Sequence, residues 1–316
     1  MTKQKRLTKR FFNQVAREWY ERTYDPRRTY RKFPSNRVRM EVALGEIAKL
    51  GLTGRLLDVG CGTGELVIEL LRRGERVTGI DIAEEMIGRA RANLISSGLG
   101  AKPDQTLVVG DLADFRPGRE KYQAAVALGL LEYLDTDAEL FSFLRRSVVR
   151  GGYALVECRN RFFNLFSANR YTADLASRND FSKFLQEFAA VARYSPLSVR
   201  DIPRLQSRVS RDIHAFLRQA CRSKAWFAKA RPSFSSYPRG MIRRQHTPAV
   251  LEASARRYGF RLRHAVYWHA HPYPPRYEAE FPRIYNKLSI LMAPLGYTPL
   301  GAWLCSSFLA VLKRQS

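Results

Sequence analysis

The sequence predicts a doubly wound α/β domain built on a mostly parallel sheet. Two observations carry the prediction. Short apolar runs alternate with helical patterns between residues 55 and 158, and a glycine-rich turn joins the first run to the first helix. Strands separated by helices of this length form βαβ units, and the right-handed crossover rule leaves the doubly wound arrangement. The expected strands there are Arg55–Val59, Arg76–Asp81, Gln105–Val109, Tyr122–Leu128 and Gly152–Cys158. The helices between them are Thr63–Arg73, Glu84–Ser97 and Asp137–Val149. In the second, Met86, Ile87, Ala90, Leu94 and Ile95 repeat at helical spacing.

After residue 158 the rhythm breaks. Residues 159–246 hold no convincing strand, only Arg-rich, helix-compatible pieces such as Phe181–Val191 and Ile213–Ala228, and a Pro/Ser/Gly loop from Arg231 to Gly240. Regular structure resumes at Thr247-Pro248, a cap followed by proline at the first helical position, and that helix stops at Gly259. Two closing strands follow, Arg261–His269 and Ser307–Leu312, bringing the sheet to seven. The chain therefore divides into a basic arm and cap helix (1–40), a core (41–160 with 246–316) and a helical Arg-rich insertion (161–245). The 25 residues Leu288–Leu312 carry no charge, but Pro294, Gly296, Pro299 and Gly301 interrupt them. They read as a helix end, a turn and a strand, not as a membrane span.

Composition narrows the function. The 54 Lys+Arg against 29 Asp+Glu give a net charge of +25. The excess sits in residues 1–40 (13 basic, 3 acidic) and 159–246 (18 basic, 5 acidic), whereas 41–158 carry 14 basic and 18 acidic side chains. Two positive segments flanking a near-neutral core imply an anionic partner: a phosphate-bearing substrate, a nucleic acid or an acidic lipid surface. Cys61, Cys158, Cys221 and Cys305 form no C-x-x-C pair, which argues against a zinc ribbon or disulfide framework and for a reducing, cytoplasmic setting. No apolar run follows the basic N-terminus, so no secretory signal is read.

The chemistry is carried by Asp58-Val-Gly60-Cys61-Gly62-Thr-Gly64-Glu65 at the first strand–helix turn. Glycines let the backbone turn sharply and approach a ligand where a Cβ would clash. The spacing is G-x-G-x-G, not the G-x-G-x-x-G of dinucleotide sites, and Glu65 occupies the first helical turn. An acid there repels a pyrophosphate but suits a cationic ammonium or sulfonium. Val77-Thr-Gly-Ile-Asp81-Ile82 ends the second strand in an acid, and Val108-Val-Gly-Asp111-Leu112 ends the third in another.

These motifs closely resemble those of class I S-adenosylmethionine (SAM)-dependent methyltransferases, which have a Rossmann-like sheet. The Phe11–Tyr20 stretch is similar to the cap helix of the quinone- and small-molecule-modifying branch. The resemblance implies a transferase that uses SAM for methylation. Asp81 would bind the ribose hydroxyls and Asp111 the adenine amine. Ile82, Met86 and Leu112 would flank the adenine, Leu128 would lie near the methionine end, and Asp58 would orient the methionine moiety. In one departure, Tyr122-Gln123 stands where many relatives open the fourth strand with an aromatic-Asp pair.

Methyl transfer from a sulfonium is an in-line displacement, so the protein must align the acceptor and, for a hydroxyl, take its proton. Candidates lie at the strand ends: Glu132 and Tyr133 after the fourth, Glu157, Arg159 and Asn160 after the fifth, and His269, His271 and Tyr273 after the sixth. Tyr20 joins them from the cap helix and His246 from the end of the insertion. His269 and His271 are two apart and share one face if the strand continues. A general base, a metal pair and structural histidines are all open readings. No carboxylate or third histidine lies at ligand spacing, so no metal is expected. The insertion, with its arginines and Phe162, Phe163, Phe166, Tyr171, Trp226 and Phe227, would form an acceptor lid suited to an anionic, partly apolar molecule. The expected acceptor is therefore a small-molecule, lipid-linked or sugar-containing anion methylated at oxygen. Contact with an anionic membrane surface, through the N-terminus and the helix around Phe281–Leu291, would place the protein at the inner face of a membrane. RNA methylation and a non-catalytic SAM-binding scaffold are the alternatives.

Overall fold

In a computed structural model the structure describes residues 1–19, 24, 32–99, 106–118, 120–168, 170–176, 180–195, 204, 206–208, 210–212, 214–215, 238 and 240–315. Seven strands form one sheet in the order β3-β2-β1-β4-β5-β7-β6. They are β1 (Arg55–Val59), β2 (Arg76–Asp81), β3 (Thr106–Val109), β4 (Tyr122–Ala127), β5 (Val148–Arg159), β6 (Phe260–Ala270) and β7 (Cys305–Arg314). All neighbours pair in parallel except β7, which runs antiparallel to both β5 and β6. The chain order reverses between β1 and β4, so the crevice beyond their C-terminal ends is the switch point where open sheets of this kind bind ligands.

The helices are α1 (Lys3–Val15), α2 (Ser35–Lys49), α3 (Glu65–Arg72), α4 (Glu84–Ser96), α5 (Asp137–Ser147), α6 (Arg170–Ala176), α7 (Phe181–Ala189), α8 (Pro248–Arg256), α9 (Pro282–Leu291) and α10 (Gly301–Leu304). They cover both faces of the sheet. Leu57, Val59, Ala125 and Ala127 pack with α5, α7 and α8 on one side. Leu56, Ala124 and Val126 pack with α2 and α3 on the other. Burial on both faces explains why β1 and β4 read as continuous apolar runs.

Local signals set the ends of these elements. Thr136 and Glu139 form a reciprocal capping box at the start of α5. The Thr247 hydroxyl accepts from the Val250 N–H above Pro248 at the start of α8. The expected helix at Thr63 begins instead at Glu65, because Gly64 adopts φ 85° and a Cβ there would lie 3.0 Å from Ala90. β5 starts four residues earlier than expected. Gly152 interrupts its apolar pattern, yet the strand needs that glycine because a Cβ would strike the Gln123 carbonyl at 2.6 Å.

In the insertion, Phe162 packs with Phe184 and Phe188 in the core, not toward a ligand. Arg204, Arg208 and Arg211 are exposed. Most of the expected Ile213–Ala228 helix, with Trp226 and Phe227, lies outside the described residues. No helix among the described residues is long and apolar enough to cross a membrane.

Candidate active site

The glycine loop is tied to the neighbouring strand. The Gly60 and Cys61 N–H groups both donate to the Ile80 carbonyl, at 2.8 and 3.0 Å. Asp81, at the end of β2, accepts from the Gly62 N–H at 3.0 Å and the Ala83 N–H at 2.9 Å, bracing the turn. Asp58 and Glu65 complete a buried acidic cluster, and the Thr63 hydroxyl donates to Glu65 at 2.6 Å. Burial, reinforced by Asp81 and Glu65, pushes the Asp58 carboxyl up to about 8 against the opposing pull of Arg39. Burial also raises Glu65 and Asp81. Three carboxyls crowded in low dielectric favour a cation placed among them.

A cavity of about 440 Å³ opens from this loop, within the range of small-molecule sites. Asp81, Ile82, Met86, Asp111 and Leu112 line one end; Tyr133, Glu157, Arg159, Arg243 and His269 line the other, with Asp58, Gly60–Gly62 and Leu128 between. Helix α1 covers it. Lys5 reaches both Asp111 oxygens, at 2.8 and 2.9 Å, and Glu139 at 2.8 Å.

The expected residues separate into those that meet at the cavity and those that do not. Of the cofactor set, all line it except Gly64, which shapes the turn from behind. Glu157 lines it, accepting from the Gly129 N–H at 2.7 Å beside the Arg39 guanidinium at 3.6 Å. Gly129 adopts φ 65° and a Cβ there would collide with that guanidinium, so this glycine makes room for Arg39. Burial pushes Glu157 up, with Arg39 opposing. Arg159 lines the cavity with its Nε unpartnered, and Glu132, 3.7 Å away, is instead hydrogen-bonded by the Arg243 Nε at 2.8 Å.

The rings of His269 and His271 pack against each other, with centroids 4.1 Å apart and planes 37° apart. His269 leaves strand conformation at φ 59°, which turns its ring onto Phe33 with centroids 3.9 Å apart and planes 7° apart. Its Nδ1 lies 3.1 Å from the Ser306 hydroxyl, and its Nε2 has no partner. Burial, with Lys32 nearby, pushes it down to about 3, so the imidazole is neutral at physiological pH. His271 is buried off the cavity with Nδ1 2.6 Å from the Tyr285 hydroxyl, which itself donates to the Tyr273 carbonyl.

His246 is also away from the cavity, with Nε2 2.9 Å from Asp137, a carboxylate that Arg244 and Ser254 also hold. Neither His246 nor His271 lines the cavity, although the His271 ring packs on that of His269, which does. Asn160 is buried and donates to the Ala302 and Cys305 carbonyls, fixing the turn after β5. Tyr273 is exposed and outside the cavity. Tyr20 lies outside the described residues. Arg39, Lys5, Arg243, Phe33 and Ser306 also line or flank the cavity without belonging to any sequence motif.

A doubly wound sheet with an acid-ringed glycine loop at its switch point defines an α/β enzyme of the nucleoside-cofactor-binding class. A family model described as a methyltransferase domain matches residues 56–152. The ubiquinone biosynthesis O-methyltransferase of Pseudomonas aeruginosa (strain UCBPP-PA14) is 32% identical over 164 residues, spanning 49% of this chain and 69% of the relative. The same figures hold for that of Pseudomonas savastanoi pv. phaseolicola (strain 1448A / Race 6). The solved magnesium protoporphyrin IX methyltransferase of Synechocystis PCC 6803 with bound SAH shares the fold, at 15% identity and TM-score 0.52 over 99% of this chain and 100% of that one. The chain belongs to the class I SAM-dependent methyltransferases, and SAM is its cofactor.

Proposed function

We propose that the enzyme methylates a hydroxyl of a small anionic acceptor bound between Arg159 and His269. One observation carries this reading: a single cavity runs from the acidic glycine loop to an arginine with an unpartnered Nε and a neutral histidine with an unpartnered Nε2. The naming of the relatives as ubiquinone biosynthesis O-methyltransferases supports oxygen as the acceptor atom.

In this reading SAM supplies an electrophilic methyl group on a sulfonium. The residues present suit such a ligand. Asp81 takes the ribose hydroxyls and Asp111 the adenine amine, sharing its charge with Lys5. Ile82, Met86 and Leu112 enclose the adenine. Asp58 and Glu65 face the methionine ammonium, and Arg39, the guanidinium beside them, pairs with the methionine carboxylate. On the acceptor side Arg159 holds the anionic group, while Glu132 keeps Arg243 in place as a second cation. His269 Nε2, unpartnered and neutral, accepts a hydrogen bond from the acceptor hydroxyl and orients its oxygen, with Nδ1–H directed at Ser306; the hydroxyl proton leaves to water. Residues 1–40 act as the cap and 161–245, through Arg243, as the acceptor lid.

The test is turnover of methyl-labelled SAM with hydroxylated aromatic compounds that carry or lack a carboxylate or phosphate. Label on oxygen, confined to the anionic compounds, is expected. Label appearing only in added RNA overturns the reading.

A further inference from the structure

Helix α9 is inverted with respect to solvent. Its inward face is Tyr285, Asn286 and Ser289, all buried, with the Ser289 hydroxyl donating to the Ala270 carbonyl. Its outward face carries an apolar stripe: Ile284 is 64% exposed and Leu291 74%, with Ile290 nearby and Phe281, 59% exposed, just ahead. Tyr273, also exposed, precedes the helix and is held to it by its carbonyl, which accepts from the Tyr285 hydroxyl. Half of the large apolar side chains exposed among the described residues thus fall between 273 and 291. A contiguous patch of this kind marks an interaction surface.

The polar residues around it define the partner. Arg283 and Lys287 stand exposed one turn apart, Arg276 is exposed before them, and α9 contains no acid. Glu280 precedes the helix. An apolar stripe flanked by cations fits the boundary of an anionic bilayer, where rings and aliphatic chains enter the acyl region and ammonium and guanidinium groups meet headgroup phosphates. A two-fold contact with a second copy would place Arg283 and Lys287 near their own counterparts, which disfavours it.

The patch also adjoins the acceptor end of the cavity. Just before α9, Glu278 accepts from the Phe33 N–H at 3.0 Å, and Phe33 stacks on His269. We infer that α9 is a membrane-docking face for anionic phospholipid, which sets the cavity mouth against the bilayer so that an amphiphilic acceptor enters from it. The entry step rests on the acceptor reading above; the docking does not.

The experiment is co-sedimentation of the full chain with vesicles of phosphatidylcholine alone or mixed with phosphatidylglycerol, in moderate salt. Wild-type protein is expected to partition onto the mixed vesicles. Ile284→Glu with Leu291→Glu should weaken partition roughly tenfold or more, and Lys287→Glu by several-fold, with folding temperature unchanged because these side chains are exposed. Calorimetric SAM binding and turnover of a water-soluble acceptor should be unaffected, so failure to dock and failure to methylate are read separately. Equal partition of the double variant, no binding of wild-type protein to mixed vesicles, or a wild-type dimer in sedimentation that the double variant dissolves would each overturn the inference.

Discussion

The Lys5 ammonium sits 2.8 Å from one oxygen of Asp111 and 2.9 Å from the other, tying the N-terminal helix to the turn that follows β3. Glu139 shares the same ammonium at 2.8 Å. Burial would raise Asp111, but the Lys5 and Ala113 hydrogen bonds outweigh it and hold the carboxyl below its ordinary value. A depressed carboxyl contributes stability that is present above its unfolded pKa and is lost as pH falls through the folded one. Lys5→Met should therefore destabilise the protein at pH 7 by about 1.5–3 kcal/mol, the range for a hydrogen bond to a charged group. The deficit should shrink as pH drops below the carboxylate range. Denaturant unfolding at pH 7 and pH 3 checks both the size and the sign.

Asp58 predicts proton release on SAM binding. Its carboxyl, raised to about 8 chiefly by burial and then by Asp81 and Glu65, is mostly protonated in the free enzyme at pH 7. A cation placed among these acids favours the ionised form, so binding expels the proton and tightens as pH rises. The ligand's own ammonium, with an ordinary α-amino pKa of about 7.7–8.0, sets the upper limit of that window. SAM affinity should rise from pH 6 to about 7.5, and titration in buffers of different ionisation enthalpy should reveal release of a proton. Asp58→Asn should bind more weakly, by roughly 10- to 150-fold, and lose the pH dependence.

His269 is the candidate that orients the acceptor hydroxyl, through its unpartnered Nε2. Replacing it with Gln removes that nitrogen. Turnover should fall by up to about tenfold, the worth of one neutral hydrogen bond, while SAM affinity holds. The rate should not decline on the acid side near pH 6.5, where an ordinary histidine titrates, because burial and Lys32 place this one near 3. A protonation limb at 6.5 that vanishes in His269→Gln would show an imidazole exposed to water during turnover, contrary to the structure.

The cofactor end of the cavity was legible because its chemistry is local. Asp58 and Asp81 lie at the C-terminal ends of strands that are buried on both faces, so β1 and β2 fall on the residues the apolar runs mark. The acceptor end was not legible, since contacts across the fold assemble it. Arg39 arrives from α2 through the space that Gly129 leaves, and Phe33 meets His269 from the far side of the chain. Alternation put His269 and His271 on one face, and their rings do meet at 4.1 Å; what it could not show is that His269 alone lines the cavity, at φ 59° and stacked on Phe33. The arginines of the insertion misled in the same way. Charge counting cannot tell the exposed Arg204, Arg208 and Arg211 from Arg243, which lines the cavity.

That distinction decides between a small acceptor and RNA. If the exposed arginines serve a polyanion, binding must release many counterions and weaken by about 10³–10⁵ between 50 and 200 mM salt for six to ten phosphate contacts. An acceptor held by Arg159, with Arg243 behind it, makes one or two such contacts and should lose only a few-fold over that range. Arg159→Met should then raise the acceptor KM and lower kcat/KM by roughly 10- to 150-fold, the worth of one charge-assisted hydrogen bond, with kcat nearly unchanged. The change removes the 3.7 Å ion pair between Arg159 and Glu132, but Glu132 keeps its shorter hydrogen bond from Arg243, so the fold should tolerate it. Neutralising Arg204, Arg208 and Arg211 together should leave the same constants untouched, since none of the three lines the cavity. The opposite pattern is an unaffected Arg159→Met together with a steep salt slope that the triple variant abolishes. It would place the acceptor on the basic exterior and make RNA the substrate.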